Sequence, residues 1–278
     1  MNMMPGDLPT LCRSSARSRA LVEAALCPQI LLGMPHLTPF GLSRTWLLKE
    51  LGHRHWLLLA GRLGLDDADF RTPDGGEAYA AFSALKIDAR LSQGRPNAVL
   101  TIRSSLYRVS DTRTESVHAL QVDGCEIGTV VLQSVFVART GQDNRSIRRS
   151  LVRHFRAEGP AAQSLLTEDI AALRLWSGPE GPPERDMSFQ PCPFEEFNGA
   201  GLLYFAEYVG LMGRAFCQWE GLAAVERLDR PMSVLFYGNI NQGENLCIGF
   251  YRSDDLKQAS RCAIQRPDGS VLVRAFFG

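Results

Sequence analysis

Met34-Pro35-His36-Leu37-Thr38-Pro39-Phe40-Gly41-Leu42-Ser43-Arg44-Thr45-Trp46-Leu47-Leu48-Lys49-Glu50-Leu51-Gly52 is the stretch on which the fold turns, because it is echoed 158 residues downstream. Pro35 falls on Pro193, Gly41 on Gly199, Trp46 on Tyr204 and Gly52 on Gly210, without a gap; Met34 falls on Cys192. The same step carries Tyr79 onto Tyr237. A repeat of this length implies two similar folding units, with a site expected at their junction.

Within the first unit, Thr38-Pro39-Phe40-Gly41 is turn chemistry and Ser43 is placed to cap a helix. Trp46, Leu47, Leu48 and Leu51 follow at helical spacing, and Gly52 reads as the C-terminal cap. His53 and His55 then stand two apart, as at the start of a strand. Segments 77–89, 98–109, 116–122 and 126–138 are rich in β-branched and aromatic residues, and Asp123-Gly124 predicts a hairpin between the last two. In the second unit, Glu196-Phe197-Asn198-Gly199 leads into an apolar helix over 202–219. Strands are expected over 232–240, 245–251, 259–265 and 270–277, with Pro267-Asp268-Gly269 as the last turn.

The units are separated by a basic run (Arg145, Arg148, Arg149, Arg153, His154, Arg156), a short helix near 168–175 and a Gly/Pro-rich linker over 177–183. The resulting plan is an N-terminal arm (1–30), a first unit (31–140), the basic segment with its linker (141–185) and a second unit (186–278). One apolar helix and about four closely spaced strands per unit predict an antiparallel α+β fold. Each helix would be buried by a curling sheet, and two units side by side would share one continuous sheet.

The 278 residues are 45% hydrophobic and 22% charged, and 30 basic residues balance 30 acidic ones. No global field therefore draws the chain to nucleic acid or to a membrane surface. The basic residues are local and lack interleaved aromatics, which also disfavours a nucleic-acid partner. Seven cysteines form no CxxC pair, and no histidines stand near them at ligand spacing, so neither a metal site nor a disulfide framework is expected. A reducing cytoplasm is the expected compartment. Arg13, Arg17 and Arg19 precede an apolar-leaning run, but Glu23, Pro28 and Gln29 interrupt it, which argues against a signal peptide. No run approaches the ~18 apolar residues of a membrane span.

Three stretches resemble a known family: 34–52; the segment Phe197-Asn198-Gly199-Ala200-Gly201-Leu202-Leu203-Tyr204-Phe205-Ala206; and Phe236-Tyr237-Gly238-Asn239-Ile240-Asn241. They are similar to the leinamycin-type bifunctional acyltransferase/decarboxylases of polyketide gene clusters. The resemblance implies a double hot-dog fold, two fused units each wrapping a sheet around a long helix. It also implies an activity: a methylmalonyl thioester is decarboxylated, and the propionyl group passes from coenzyme A to an acyl carrier protein. The partners would be acyl-CoA and the carrier, and no cofactor beyond the thioester substrate is implied. Tyr79 matches the family's catalytic tyrosine. A looser similarity is to hot-dog thioesterases, whose helix opens with Asp-x-Asn-Gly-His; here Glu196-Phe197-Asn198-Gly199-Ala200 lacks the histidine. A thioesterase or a dehydratase acting on carrier-bound chains is therefore the alternative, and a non-catalytic acyl-binding protein is a third reading. Monomer and homodimer both remain open, since a fused pair already supplies the partner that a single hot-dog needs.

Decarboxylation places an enolate on the thioester oxygen, so aimed donors and a desolvating pocket are required. The candidate catalytic residues are Tyr79, Ser43 and His36, with the first helix's N-terminus as the oxyanion site. Gly41, Leu42, Asn198, Gly199 and Tyr237 are candidates for substrate binding, and Arg148, Arg149 and Arg153 for coenzyme A or carrier contact. Bland roles stand beside each: a helix cap for Ser43, a backbone-bonded histidine for His36, tight turns for the glycines and core packing for the tyrosines. Glu207, on the second apolar helix, reads either as a buried acid or as part of a polar stripe.

Overall fold

The computed structural model describes residues 15–153, 161–176, 181–227, 229–251 and 260–277. His154, Arg156 and most of the expected linker (177–180) lie outside them, as do residues 1–14 of the arm. A helix, α1 (Ser15–Ala25), leads to β1 (Gln29–Leu31), a small ribbon of β2 (Leu37–Thr38) with β3 (Gly41–Leu42), and the long α2 (Arg44–Arg62). Then come β4 (Tyr79–Ala89), β5 (Val99–Arg108), β6 (Arg113–Val122), β7 (Cys125–Arg139) and β8 (Ile147–Arg149). A shorter α3 (Thr167–Leu175) precedes the second unit: β9 (Arg185–Phe189), α4 (Phe205–Glu220), β10 (Met232–Phe236), β11 (Leu246–Tyr251), β12 (Ser260–Gln265) and β13 (Val271–Phe277).

Period-two alternation splits the strand residues between two layers. Leu85, Ile87, Val130, Leu132 and Val234 face a core built around α2 and α4, whereas their neighbours Ala84, Val131 and Leu235 face Leu166 and Leu173 beneath α3. Outward from the junction, the first unit runs β4-β7-β6-β5-β1 and the second runs β10-β13-β12-β11-β9. The two orders correspond strand for strand, so an approximate two-fold axis passes between β4 and β10. Those strands pair antiparallel (Ile87 opposite Met232, Leu85 opposite Val234) and fuse the halves into one sheet. This is the double hot-dog arrangement. On the outer face Asp169 of α3 accepts from Lys86 Nζ at 3.0 Å and from Ser233 Oγ at 2.6 Å, one residue from each unit.

The repeated glycines have a packing cause that the sequence alone does not show. α2 does not end at Gly52; it continues to Arg62, burying Arg54, His55, Leu57, Leu59 and Ala60. His53 and His55 are accordingly helical, not the start of a strand. A Cβ on Gly52 would stand 2.7 Å from Tyr204 Oη and 2.8 Å from the Phe205 ring, and one on Gly210 would stand 3.0 Å from Thr45 Oγ1. Each glycine thus admits the first turn of the other, antiparallel helix. The interior-glycine penalty, about 1 kcal/mol, is outweighed by the close crossing.

Buried Arg54 donates to Leu26 O (3.3 Å) and Cys27 O (2.8 Å), fastening the end of α1 to α2. The turn at Asp123-Gly124 forms as expected, with both φ angles positive (49° and 82°). Where α2 packs on the first unit's sheet, His55 bridges Ser116 Oγ and Ser134 Oγ at 2.7 Å each, and His118 bridges Ser116 Oγ and Ser104 Oγ at 2.8 Å each. Burial pushes the pKa of both imidazoles down to about 3, so both are neutral at physiological pH.

Candidate active site

β10 leaves the junction early. It pairs with β4 only over Ala84–Ile87, while the first residues of β4 stay paired to β7, Tyr79 opposite Val137. A bulge between Phe82 and Ala84 bends β4 at Ser83. The chain beyond Phe236 diverges through Tyr237-Gly238-Asn239, and a cleft of about 510 Å³ opens between the parting strands. Its lining draws on both faces of the sheet: Phe82 and Phe205 belong to the helix-side core, and Arg174 ends the outer helix.

The start of α4 forms the inner end. Asn198 Oδ1 accepts from the N–H groups of Ala200 (3.0 Å) and Leu202 (3.1 Å), shaping the loop before the helix. Asn239 accepts from Leu203 N and donates to Leu203 O, both at 2.9 Å. Arg139 and Asn144, from the first unit, hold the same loop through Ala200 O (2.9 Å) and Gly201 O (2.7 Å). No side chain caps α4, and among the described residues the N–H groups of Phe205 and Ala206 find no partner. Tyr204 and Phe205 line the cleft, so the start of α4 and the positive end of its dipole lie beside it.

Tyr79 opens β4 on the opposite wall and donates to Glu77 Oε2 at 2.5 Å. Desolvation, and then the bonded carboxylate, hold its pKa above the ordinary tyrosine value, so it remains a protonated donor at neutral pH. Tyr237, 46% exposed, carries the Arg274 guanidinium 5.3 Å from its ring centre. The bulged Ser83 donates to Gln133 Oε1 (3.0 Å), and Gln133 donates to the buried Glu115 (2.7 Å), so a polar chain runs from the wall into the interior. Among the described lining residues there is no histidine, cysteine, aspartate or glutamate. No group of residues suited to a metal ion occurs among the described residues.

Of the residues singled out from sequence, Tyr79, Tyr237, Asn198, Arg148 and Arg149 meet at this cleft. Tyr79 and Tyr237 are not equivalent by the two-fold, however: one begins its strand and the other follows the end of the corresponding strand. Antiparallel pairing brings the two ends together. Gly199 is exposed outside the lining, and Arg153 is exposed with its N–H on Arg71 O. Gly41, Leu42, Ser43 and His36 lie at the start of α2 and do not reach the cleft. There Ser43 Oγ accepts from Trp46 N (3.3 Å), and His36 Nδ1 accepts from Gly33 N (2.9 Å) while its ring packs on Trp46. Gly41 is pressed against Leu91 O, 2.3 Å from where a Cβ would sit.

The helix start that opens on the cleft is therefore α4, not the first helix as expected. At the start of α2, Arg44 instead donates to Arg227 O at 3.0 Å. Glu207 is buried but faces Lys49 at 2.5 Å, away from the lining. Arg113, Arg174, Gln133, Ser83 and Asn144 were not legible as site residues: each is a single polar residue in a strand or a short helix, and only the topology gathers them.

No protein-family profile matches the chain, and no curated protein matches it. Solved structures do. The 12:0-ACP thioesterase from Umbellularia californica superposes with a TM-score of 0.62 at 10% identity, covering 90% of this chain and 91% of that one. An acyl-ACP thioesterase from Bacteroides thetaiotaomicron gives 0.58 at 10% identity, over 90% and 95%. At such identity the likeness is one of fold, and it extends over both units. Strand order, paired helices and these neighbours together make this a double hot-dog protein. No helix among the described residues is long and apolar enough to cross a membrane.

Proposed function

We infer that this protein is an enzyme of acyl thioesters that works in the cleft between its two units. The observation that carries this is the convergence, at one opening, of the uncapped start of α4 with a protonated tyrosine on the opposite wall. A thioester carbonyl at the start of α4 would meet the positive end of the helix dipole, and Tyr79 would supply a proton.

Loss of carbon dioxide, the activity that the sequence resemblance implies, is one reaction open to such a lining. It requires neither a general base nor a nucleophile. The bond between the α-carbon and the carboxylate breaks, carbon dioxide leaves, and the electron pair passes into an enolate held by the helix start. Tyr79 then protonates the α-carbon and regains its proton from solvent. The acyl group is left on the thioester for transfer to a carrier. A methylmalonyl thioester is the substrate that the sequence resemblance suggests.

Thioester hydrolysis is the reading that the comparisons support better, through the whole-chain likeness to two acyl-ACP thioesterases. It needs an activated water, and Ala200 stands where the thioesterase pattern has histidine.

Incubation with methylmalonyl-CoA and a carrier protein, followed by intact mass, separates the two. Propionyl-carrier with carbon dioxide release supports decarboxylation and transfer, free acid supports hydrolysis, and no turnover of any thioester overturns both. Tyr79→Phe is expected to lower kcat by about 100-fold, the scale of one general-acid contribution, with KM little changed. Unchanged kcat would remove Tyr79 from the chemistry.

A further inference from the structure

The outer end of the cleft carries a cluster of arginines that its chemistry has not yet used. Arg113 on β6, Arg148 and Arg149 on β8, Arg174 in the last turn of α3, and Arg145 and Arg266 all contribute to the lining. They fall into two groups. Arg145 is paired to Glu244 at 2.7 Å, Arg266 reaches Asn239 O and stands 3.9 Å from the same glutamate, and Arg148 donates to Arg145 O (2.7 Å) and Ile147 O (2.8 Å). These three brace the wall. Arg113, Arg149 and Arg174 have no carboxylate partner among the described residues.

Arg113 is half-buried, and burial together with the nearby positive charges of Arg149 and Arg174 lowers its pKa. Three like charges brought together at the mouth of a cleft, without a counter-charge, disfavour the empty state. A multivalent anion relieves that repulsion, and guanidinium forks match phosphate oxygens in geometry. Arg174 also sits at the negative end of α3, which eases its share of the crowding.

We propose that Arg113, Arg149 and Arg174 form a phosphate site at the outer mouth of the cleft, which grips the phosphate of a substrate's phosphopantetheine arm while the thioester lies inward at the start of α4. This rests on the acyl-thioester reading above. Coenzyme A and an acyl carrier protein both present that phosphate, and the trio reads what they share. The site assigns roles to Arg113 and Arg174, which belong to no basic run in the sequence. It also sets the direction of the substrate: phosphate on the α3 side, acyl group on the α4 side.

The test is calorimetric binding of propionyl-pantetheine, propionyl-4′-phosphopantetheine and propionyl-CoA to the full chain and to the Arg113→Gln/Arg174→Gln variant. For the native chain the phosphorylated arm should bind at least ~10-fold more tightly than the dephosphorylated one, with an advantage that shrinks as salt rises. In the variant that advantage should fall below about two-fold, while propionyl-pantetheine binds as before. Similar affinities for propionyl-CoA and propionyl-4′-phosphopantetheine identify the shared phosphate as the group recognised; a large further gain confined to propionyl-CoA would move recognition to the nucleotide and overturn the proposal. Equal binding with and without the phosphate also overturns the site while leaving the acyl-thioester reading intact. Binding of none of the three overturns both. Circular dichroism of the variant checks that its fold is kept.

Discussion

Gly52→Leu is expected to destabilise the protein by about 3 kcal/mol, the upper end of the cost of overpacking a well-filled core. Even the first carbon of the new side chain would fall 2.7 Å from Tyr204 Oη and 2.8 Å from the Phe205 ring, and three further carbons would have to follow it into the helix crossing. Phe205 is itself only 6% exposed, so its ring cannot swing into solvent without giving up its place in the core. Both aromatics line the cleft, and the variant should therefore lose ligand binding as well as stability. Gly61→Leu is the matched control. It lies in the same helix with nothing within 4 Å of its would-be Cβ, and it should be neutral or slightly stabilising through helix propensity. Urea midpoints compare the two, and equal midpoints would refute a close crossing at Gly52.

The second large effect is acid lability. His55 and His118 are fully buried (0% exposed each), and burial holds both near a pKa of about 3, with His118 further repelled by His55 and Arg54. In the unfolded chain both titrate near ~6.5. Below that value the unfolded state binds the protons that the folded state refuses, so stability falls as pH falls. The contribution is complete above the unfolded pKa and is lost progressively toward the folded one. For the pair, about 4 kcal/mol should disappear between roughly pH 7 and pH 5, a window above most carboxylate titration. Denaturant unfolding at a series of pH values reads this directly, and a flat profile across the window would contradict it. Replacing His55 with Gln should flatten part of the slope.

Much of the architecture was legible because strands and turns are written locally. Asp123-Gly124 supplies the positive φ angles that a two-residue hairpin demands, and the strand expected over 77–89 forms as β4 from Tyr79 onward. The end of α2 was illegible for an equally local reason. Gly52 followed by two histidines at a spacing of two reads as a helix stop, and only the partner helix shows that the glycine is there for a contact. β1 and β9 escaped notice because they are short edge strands whose inner face is only partly buried.

The site divides in the same way. Asn198 and Tyr79 stand in recognisable motifs, and both reach the cleft. The helix start that accompanies Asn198 could not be chosen over that of α2 from sequence, since both follow a glycine-containing turn. The structure separates them: Ser43 caps α2 and Arg44 bonds to Arg227 O, whereas α4 starts without a side-chain cap beside the cleft.

By itself, the sequence determined that two units of one helix and several antiparallel strands exist, because hydrophobic periodicity, caps and turns act over a few residues. Tertiary structure decided that one cleft is open, which helix start serves it, and which arginines gather at its mouth. Those outcomes depend on where β10 parts from β4 and on how each helix start is capped and bonded, contacts between residues far apart in the chain that no local pattern records.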